Sequence, residues 1–192
     1  MRAASQLKYL KNHMNNRPSL FYGLISGFAG IILFLVVYLT GRLDSMFSLR
    51  YTGSAFVISL LLLVLGVKAD RKQMTGRFPF REAFFSGLLF FGISWLVNTT
   101  FNQFMVRVVD PQLPIAQKAI AIEKTEAFMV SFGAPEADIQ ESLDKMEAAD
   151  PYEQYQPMGM LRGLLITSLI GAVISAIAAA FLREKQKPEY LD

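Results

Sequence analysis

The carboxylates between Arg107 and Gly159 are the side chains of this sequence that are best suited to acid–base or metal chemistry. Such chemistry needs several oxygens to converge, and a transition-metal or nucleophilic site usually adds histidine or cysteine. The sequence has no cysteine, and its single histidine, His13, lies in the N-terminal tail. We therefore expect no catalytic residue, no metal site and no cofactor, and we interpret the acids as solvated faces of surface helices. These acids are Asp110, Glu123, Glu126, Glu136, Asp138, Glu141, Asp144, Glu147, Asp150 and Glu153.

A second polar set interrupts the apolar sequence that follows Ala83. Ser94, Asn98 and Asn102 recur at helical spacing and share one face, with Gln103 beside them. A polar stripe of this kind should face protein or a wet crevice and not lipid. Two interpretations stay open. The stripe either forms hydrogen bonds with neighbouring helices, or it lines a crevice that binds a polar headgroup or substrate from the outer side of the membrane.

Arg81 and Glu82 lie at the start of the same apolar block, directly after Pro79. Because proline disrupts a helix interior, the helix should begin at or just after Pro79 and place Glu82 in its first turn. A negative charge suits that end of the helix dipole. Glu82 is then either a helix-start charge paired with Arg81 or Lys68, or a group that docks a cytoplasmic partner or handles protons.

Small residues recur on one face of the first and the last apolar block. Small side chains let the backbones of two membrane helices approach closely. We expect both faces to pack against another helix, either of this chain or of a second copy. The helix-packing positions are Gly23, Ser26, Gly27 and Gly30 in the first block, and Gly163, Gly171 and Ser175 in the last.

The elements that must position these side chains are four apolar blocks, each near the roughly 20 residues that cross about 30 Å of hydrocarbon. The predicted fold is all-α, a polytopic membrane protein with four transmembrane helices and a helical extracytoplasmic insert between spans three and four. The predicted segments are a cytoplasmic amphipathic tail at 1–18, spans one to three within 19–106, an acidic helical insert at 107–159, span four at 160–183 and a cytoplasmic tail at 184–192.

Local signals predict where several helices begin and end. Ser19 is the expected N-cap of span one, and the charges from Lys68 to Lys72 are expected to end span two. Within the insert we predict one amphipathic helix from Pro114 to Phe132, ended by Gly133. A second should begin at Pro135, with acids in its first turn.

The Lys and Arg residues predict the orientation of these spans. The N-terminal tail has four, the second connection five and the C-terminal tail three, whereas the first connection has two. Basic residues collect on the cytoplasmic side of membrane proteins, and the long insert is acidic. Both termini and the turn at 68–82 should therefore lie in the cytoplasm, with residues 107–159 outside.

The approach to span three also carries a family resemblance. Its sequence is Phe-Pro-Phe-Arg-Glu-Ala-Phe-Phe-Ser-Gly, and the residues that match are Phe78, Phe80, Glu82, Ala83, Phe84 and Gly87. With four spans and a helical insert only between spans three and four, the chain resembles a bacterial family of membrane proteins, domain of unknown function 4199. The resemblance extends from about Ser19 to Glu184. It implies a multi-pass protein of the bacterial inner membrane, and it supplies no catalytic residues.

Three hypotheses of function follow. The preferred one is a non-enzymatic accessory or scaffold subunit that packs with other membrane helices and presents an acidic helical cap to a partner. Its expected partners are membrane lipids and a second copy or another membrane protein, and not nucleic acid. The alternative is a small transporter or lipid-binding protein that uses the polar outer end of span three, although spans one to three lack the midplane ionisable residues of ion-coupled carriers. A membrane enzyme is the third, and it lacks histidine, cysteine and clustered acids near a membrane surface.

Overall fold

The computed structural model describes residues 17–74 and 78–182, which are helical and contain no strand within those ranges. In chain order the helices are α1 (Pro18–Leu39), α2 (Leu49–Gln73), α3 (Phe80–Phe104), α4 (Leu113–Ser131), α5 (Glu136–Ala148) and α6 (Pro157–Leu182). Short 3-10 turns lie at Leu43–Phe47 and Glu153–Tyr155, and a π-helical turn, Met105–Val109, continues α3. The predictions for the amphipathic tail with His13 and for the C-terminal tail fall outside the described residues.

Four helices of the described chain are long and apolar enough to cross a membrane. They are α1 with 22 residues, α2 with 25, α3 with its π-helical turn at 30 and α6 with 26. About 20 residues cross the hydrocarbon, so each helix is long enough to span it with some tilt. The predicted four-span helical membrane protein is confirmed, and α4 and α5 lie between spans three and four as predicted. The side of the membrane on which they lie stays a prediction.

The outward surfaces of these spans are apolar. Leu169 in the middle of α6 is 69% exposed and Phe181 near its end is 84% exposed. Leaving such side chains in water would forgo about 25 cal/mol for each Å² of apolar surface. Hydrocarbon is therefore the surrounding that these faces fit.

Two predicted helix boundaries are wrong. α2 does not end at Val67 but continues to Gln73, through the charged residues Lys68 to Lys72. The reason is that Asp70 lies on the same helical face as buried Leu63 and Val67, so that packing extends the helix past the apolar run.

The second wrong boundary is the start of α1. This helix begins at Pro18, which places Ser19 inside its first turn and not at the N-cap. The Ser19 N–H donates to the carboxylate of Asp70 on α2, at 2.9 Å. The Asp70 carboxylate, on another helix, therefore caps the start of α1, which is the role predicted for the Ser19 side chain.

The chain forms two compact units, and each of the four long helices contributes part of its length to both. Of the described residues, unit one comprises 17–28, 58–74, 78–96 and 166–182, and unit two comprises 29–57 and 97–165. The buried core of unit one is formed by Leu63, Val67, Phe78, Ala83, Phe90, Ala178 and Ala179. The buried core of unit two is formed by Phe34, Met105, Val106 and Leu113.

Close helix contacts organise unit one. A β-carbon on Gly23 of α1 would lie 2.7 Å from the carbonyl oxygen of Phe90 on α3. A β-carbon on Gly87 of α3 would lie 2.7 Å from the β-carbon of Ser175 on α6. Both distances are too short for any side chain, so α3 approaches α1 and α6 at positions that only glycine fits.

We predict that Gly87→Ala lowers the free energy of unfolding by about 1–3 kcal/mol, the usual cost of overpacking. Gly92→Ala on the same helix should leave it unchanged or slightly raise it, because a β-carbon there has no neighbour within 4 Å and alanine favours helix. Reversible denaturation in detergent measures both. Adding Ser175→Gly to Gly87→Ala should recover part of the loss, and a double variant no more stable than Gly87→Ala would contradict this contact.

Candidate functional site

Side chains from two other helices of unit one contact the start of α1. We call the four residues of these contacts, Arg17, Ser19, Asp70 and Glu82, the α1 anchor. The first N–H groups of a helix have no partner within the helix. Asp70 is only 4% exposed and accepts one of these, the Ser19 N–H, with Oδ1. Its negative charge also faces the positive end of the α1 dipole. Asp70 thus caps α1 from α2.

Glu82 forms the second contact of the α1 anchor. The Arg17 guanidinium donates to Glu82 Oε2 at 2.8 Å, and it also lies 5.9 Å from the centre of the Phe85 ring. Glu82 is in the first turn of α3, as predicted. Its ion-pair partner is Arg17, whereas Arg81 and Lys68 were the expected ones. Arg81 is exposed. Since Arg17 and Glu82 are only partly buried, solvent screening limits what the pair contributes to stability.

Unit one also buries polar atoms that have no hydrogen-bond partner among the described residues. They are Ser19 Oγ, Asp70 Oδ2, Ser86 Oγ and Ser175 Oγ. For Ser175 the reason is steric, because its side chain fills the space that Gly87 leaves open. The hydroxyl of Ser19 and the second oxygen of Asp70 belong to residues already joined by a hydrogen bond. All four belong to residues that are at most 4% exposed, so these atoms are removed from water without forming a hydrogen bond within the described structure.

The predicted polar stripe of α3 contacts other helices of the chain. In unit one the Ser94 hydroxyl donates to Ser26 Oγ at 3.4 Å, and the Ser26 hydroxyl donates to Ser59 Oγ at 3.3 Å. In unit two a β-carbon on Gly30 would lie 2.8 Å from Asn98 Oδ1. The small residues of α1 therefore make room for polar side chains of α3.

The end of the stripe faces the segment that precedes α6. Gln103 Nε2 donates to the backbone oxygen of Tyr155 at 2.8 Å and to Met160 Sδ at 3.1 Å. Gln103 and Asn102 are both half-buried.

Among the helix-packing glycines, Gly171 lies against the Phe91 ring, and a β-carbon there would be 3.1 Å from it.

Gly163 and Gly27 complete the predicted packing positions. A β-carbon on Gly163 would meet nothing within 4 Å, so no helix of the described structure packs closely against this glycine. Gly27 is buried on α1. The small-residue faces are thus occupied inside the chain, apart from Gly163.

α4 and α5 form a hairpin in unit two. Gly133, with φ of 70°, turns the chain between them. Lys118 Nζ donates to the backbone oxygens of Glu147 and Ala149 at 2.6 and 2.8 Å. A cation at these carbonyls completes the C-terminal end of α5 and fixes it to α4.

Tyrosine side chains attach the hairpin to the rest of unit two. The Tyr152 hydroxyl donates to the backbone oxygen of Pro111 at 2.9 Å, and the Tyr155 hydroxyl donates to Gln117 Oε1 at 3.2 Å. Burial raises the pKa of the Tyr155 hydroxyl. Near the end of α1, Tyr38 donates to Asp110 Oδ2 at 3.1 Å.

The acids of the hairpin do not converge. No group of three or more His, Cys, Asp or Glu side chains in the described part of the chain could hold a metal ion. Glu141 pairs with Lys145 one turn along α5, at 2.6 Å, and both are exposed. The acids are spread along the hairpin surface.

Comparison with known proteins places this architecture in a family. The model of the family described as "Protein of unknown function (DUF4199)" matches residues 21–184. The chain belongs to this family. The match to DUF4199 includes the hairpin and nearly all of the four spans. No curated protein and no solved structure matches the chain.

Asp70 is the residue of this DUF4199 protein that sequence reasoning missed. It was interpreted as one of the charges that end span two. The signal was its spacing, because Leu63, Gly66, Val67 and Asp70 follow the i, i+3, i+4, i+7 pattern of one helical face. An acid that continues a buried apolar face needs a partner, and the start of α1 supplies it.

We predict that Asp70→Ala lowers the free energy of unfolding by about 1–3 kcal/mol, because it leaves the buried Ser19 N–H without an acceptor. Asp70→Asn keeps an acceptor oxygen and should cost less. Hydrogen exchange at the Ser19 amide should accelerate in the alanine variant. Asp44→Ala, which removes an exposed acid, is the matched control. Equal losses for Asp70→Ala and Asp70→Asn would show that the acceptor is not what stabilises α1.

Proposed function

We propose that this protein is a non-enzymatic accessory or scaffold subunit of the bacterial inner membrane, which presents the acidic α4–α5 hairpin to a protein partner outside the cytoplasm. The observation that carries the proposal is the fixed mounting of the hairpin. Lys118 joins its two helices, and Tyr155, in the segment before α6, donates to Gln117 of α4. Tyr152 of the same segment donates to the backbone oxygen of Pro111, just before α4, and so closes the base of the hairpin. A hairpin held in this way offers one defined surface, as a docking element requires.

The charge distribution supports the proposed orientation. α5 contains five acids and one lysine, whereas the two chain ends and the second connection are basic. With an even number of spans, both termini share one side, and positive residues favour the cytoplasm. The hairpin then lies outside, where a soluble protein or the outer domain of another membrane protein can reach it.

The polar stripe of α3 favours a packing role over the alternative of a transporter or lipid-binding protein. Ser94, Asn98 and Gln103 each contact another part of the chain, although Gln103 Oε1 is buried without a hydrogen-bond partner among the described residues. We infer from the sequence, which has no cysteine and one histidine in the tail, that the protein does not catalyse a reaction.

The small-residue faces also bear on how a partner would bind. Gly23 and Gly87 are filled by Phe90 and Ser175 of the same chain. A protein partner therefore binds at the hairpin rather than at these two positions, and lipids cover the apolar outer surfaces of the spans. Nucleic acid is not a partner in this proposal.

We predict that the full chain, extracted in a mild detergent or in native membrane discs, carries a second protein in a constant ratio. Native mass spectrometry measures the mass and stoichiometry of the complex. Recovery of the protein as a monomer, with no reproducible partner in several preparations, would refute the accessory-subunit proposal.

A further inference from the structure

The tip of the hairpin exposes an aromatic pair at the end of α4. Phe128 is 62% exposed and Phe132 is 75% exposed, and their ring centres are 4.5 Å apart. They are spaced four residues apart and so share one side of the helix. Val130 beside them is 61% exposed. We call Phe128 and Phe132 the aromatic tip.

The exposure of the aromatic tip differs in kind from that of the spans. Apolar residues on α1, α2, α3 and α6 face the hydrocarbon that such helices require, but α4 and α5 are too polar to be membrane spans. Large aromatic side chains that stay together on an exposed surface are the usual anchors of protein interfaces. Neither packing in the core nor contact of a membrane span with lipid therefore explains why the two rings of the tip are exposed.

The charges around the tip decide what it contacts. Residues 123–145 contain six acids and two lysines. Both lysines pair with acids, Lys124 with Glu123 at 3.4 Å and Lys145 with Glu141 at 2.6 Å. Exposed acids lie on both sides of the tip in sequence, and they include Glu126, Glu136 and Asp138. Segments that insert aromatic side chains into a leaflet usually carry Lys or Arg, which pair with lipid phosphates. Here insertion would bring carboxylates to those phosphates, so charge complementarity selects a basic protein surface.

We propose that the aromatic tip docks into an apolar pocket bordered by Lys and Arg on a partner protein, with Phe128 and Phe132 as anchors and Glu136 and Asp138 as flanking charges. This inference rests on the proposed function and specifies its binding surface. An apolar anchor surrounded by charges gives affinity through burial and selectivity through charge. The same charges disfavour docking between two copies, because two acidic tips would repel one another.

Tryptophan fluorescence separates the protein surface from the lipid leaflet. The sequence has one tryptophan, Trp95, so Trp95→Phe combined with Phe132→Trp places the only indole at the tip of the full chain. In vesicles of brominated phosphatidylcholine and phosphatidylglycerol, its emission should remain unquenched. The control combines Trp95→Phe with Leu169→Trp, on the exposed face of α6, and should be strongly quenched. Quenching of both indoles to a similar extent would overturn the proposal in favour of leaflet insertion.

Crosslinking in intact membranes tests the partner itself. A photo-reactive phenylalanine analogue at position 132 should give one discrete protein adduct, and the same analogue at Ile115, at the other end of α4, should not. Glu136→Gln with Asp138→Asn should reduce the adduct about tenfold or more. Asp144→Asn with Glu147→Gln removes the same charge from the far end of α5 and should leave the adduct unchanged. The crosslinked peptide should come from a surface rich in Lys and Arg.

Three results would overturn the inference. They are no adduct at position 132, an adduct that is insensitive to Glu136→Gln with Asp138→Asn, and an adduct with a second copy of this chain. Circular dichroism and thermal denaturation show whether each variant is folded. If a second protein still copurifies in a constant ratio while the tip gives no adduct, the tip inference fails and the accessory-subunit proposal stands. If no protein copurifies, the proposed function itself fails.

Discussion

The structure depends on the close approach of α3 to its neighbours where no β-carbon fits. Lipid tails are as apolar as leucine side chains, so burying apolar surface contributes little free energy to the association of membrane helices. Van der Waals contact must supply that free energy, and it falls off steeply with distance. Gly23 against the Phe90 backbone and Gly87 against Ser175 let unit one reach that contact. Once α3 occupies these faces of α1 and α6, their large side chains are left on the outside, where lipid solvates them.

The same constraint explains why polar residues of the spans are half-buried or buried without forming a site. A polar group that faces hydrocarbon must find a partner within the protein. Asp70 accepts the Ser19 N–H at the start of α1, and Ser94 donates to Ser26. Gln103 donates to the backbone oxygen of Tyr155. Each of these contacts is made to another element of the chain and satisfies one polar group. Other polar atoms, among them Ser86 Oγ and Ser175 Oγ, are buried at helix contacts without a hydrogen-bond partner among the described residues.

Much of this fold could be predicted from sequence because membrane spans are set by a length and a composition that can be counted. The spans and the two hairpin helices were found within a few residues, apart from the end of α2. What failed were features that depend on contacts between helices distant in sequence. The residues from Lys68 to Lys72 look like a span end, yet Asp70 is buried against α1, 51 positions away. The pairing of Glu82 with Arg17 is equally nonlocal. The sequence pattern of α3 does not predict the π-helical turn at Met105–Val109.

In the hairpin, the charged residues differ from the residues that we propose as the anchors of a binding surface. The acids of the hairpin are numerous, but they are spread along exposed helix faces, and two of them, Glu123 and Glu141, pair with neighbouring lysines. Exposed carboxylates are hydrated, so solubility and the orientation of the chain in the membrane are enough to explain them. Exposed aromatic side chains are different, because each leaves a large apolar surface in contact with water. The aromatic pair at Phe128 and Phe132 is therefore the stronger indication of a binding surface, and the acids around it restrict which surfaces can approach.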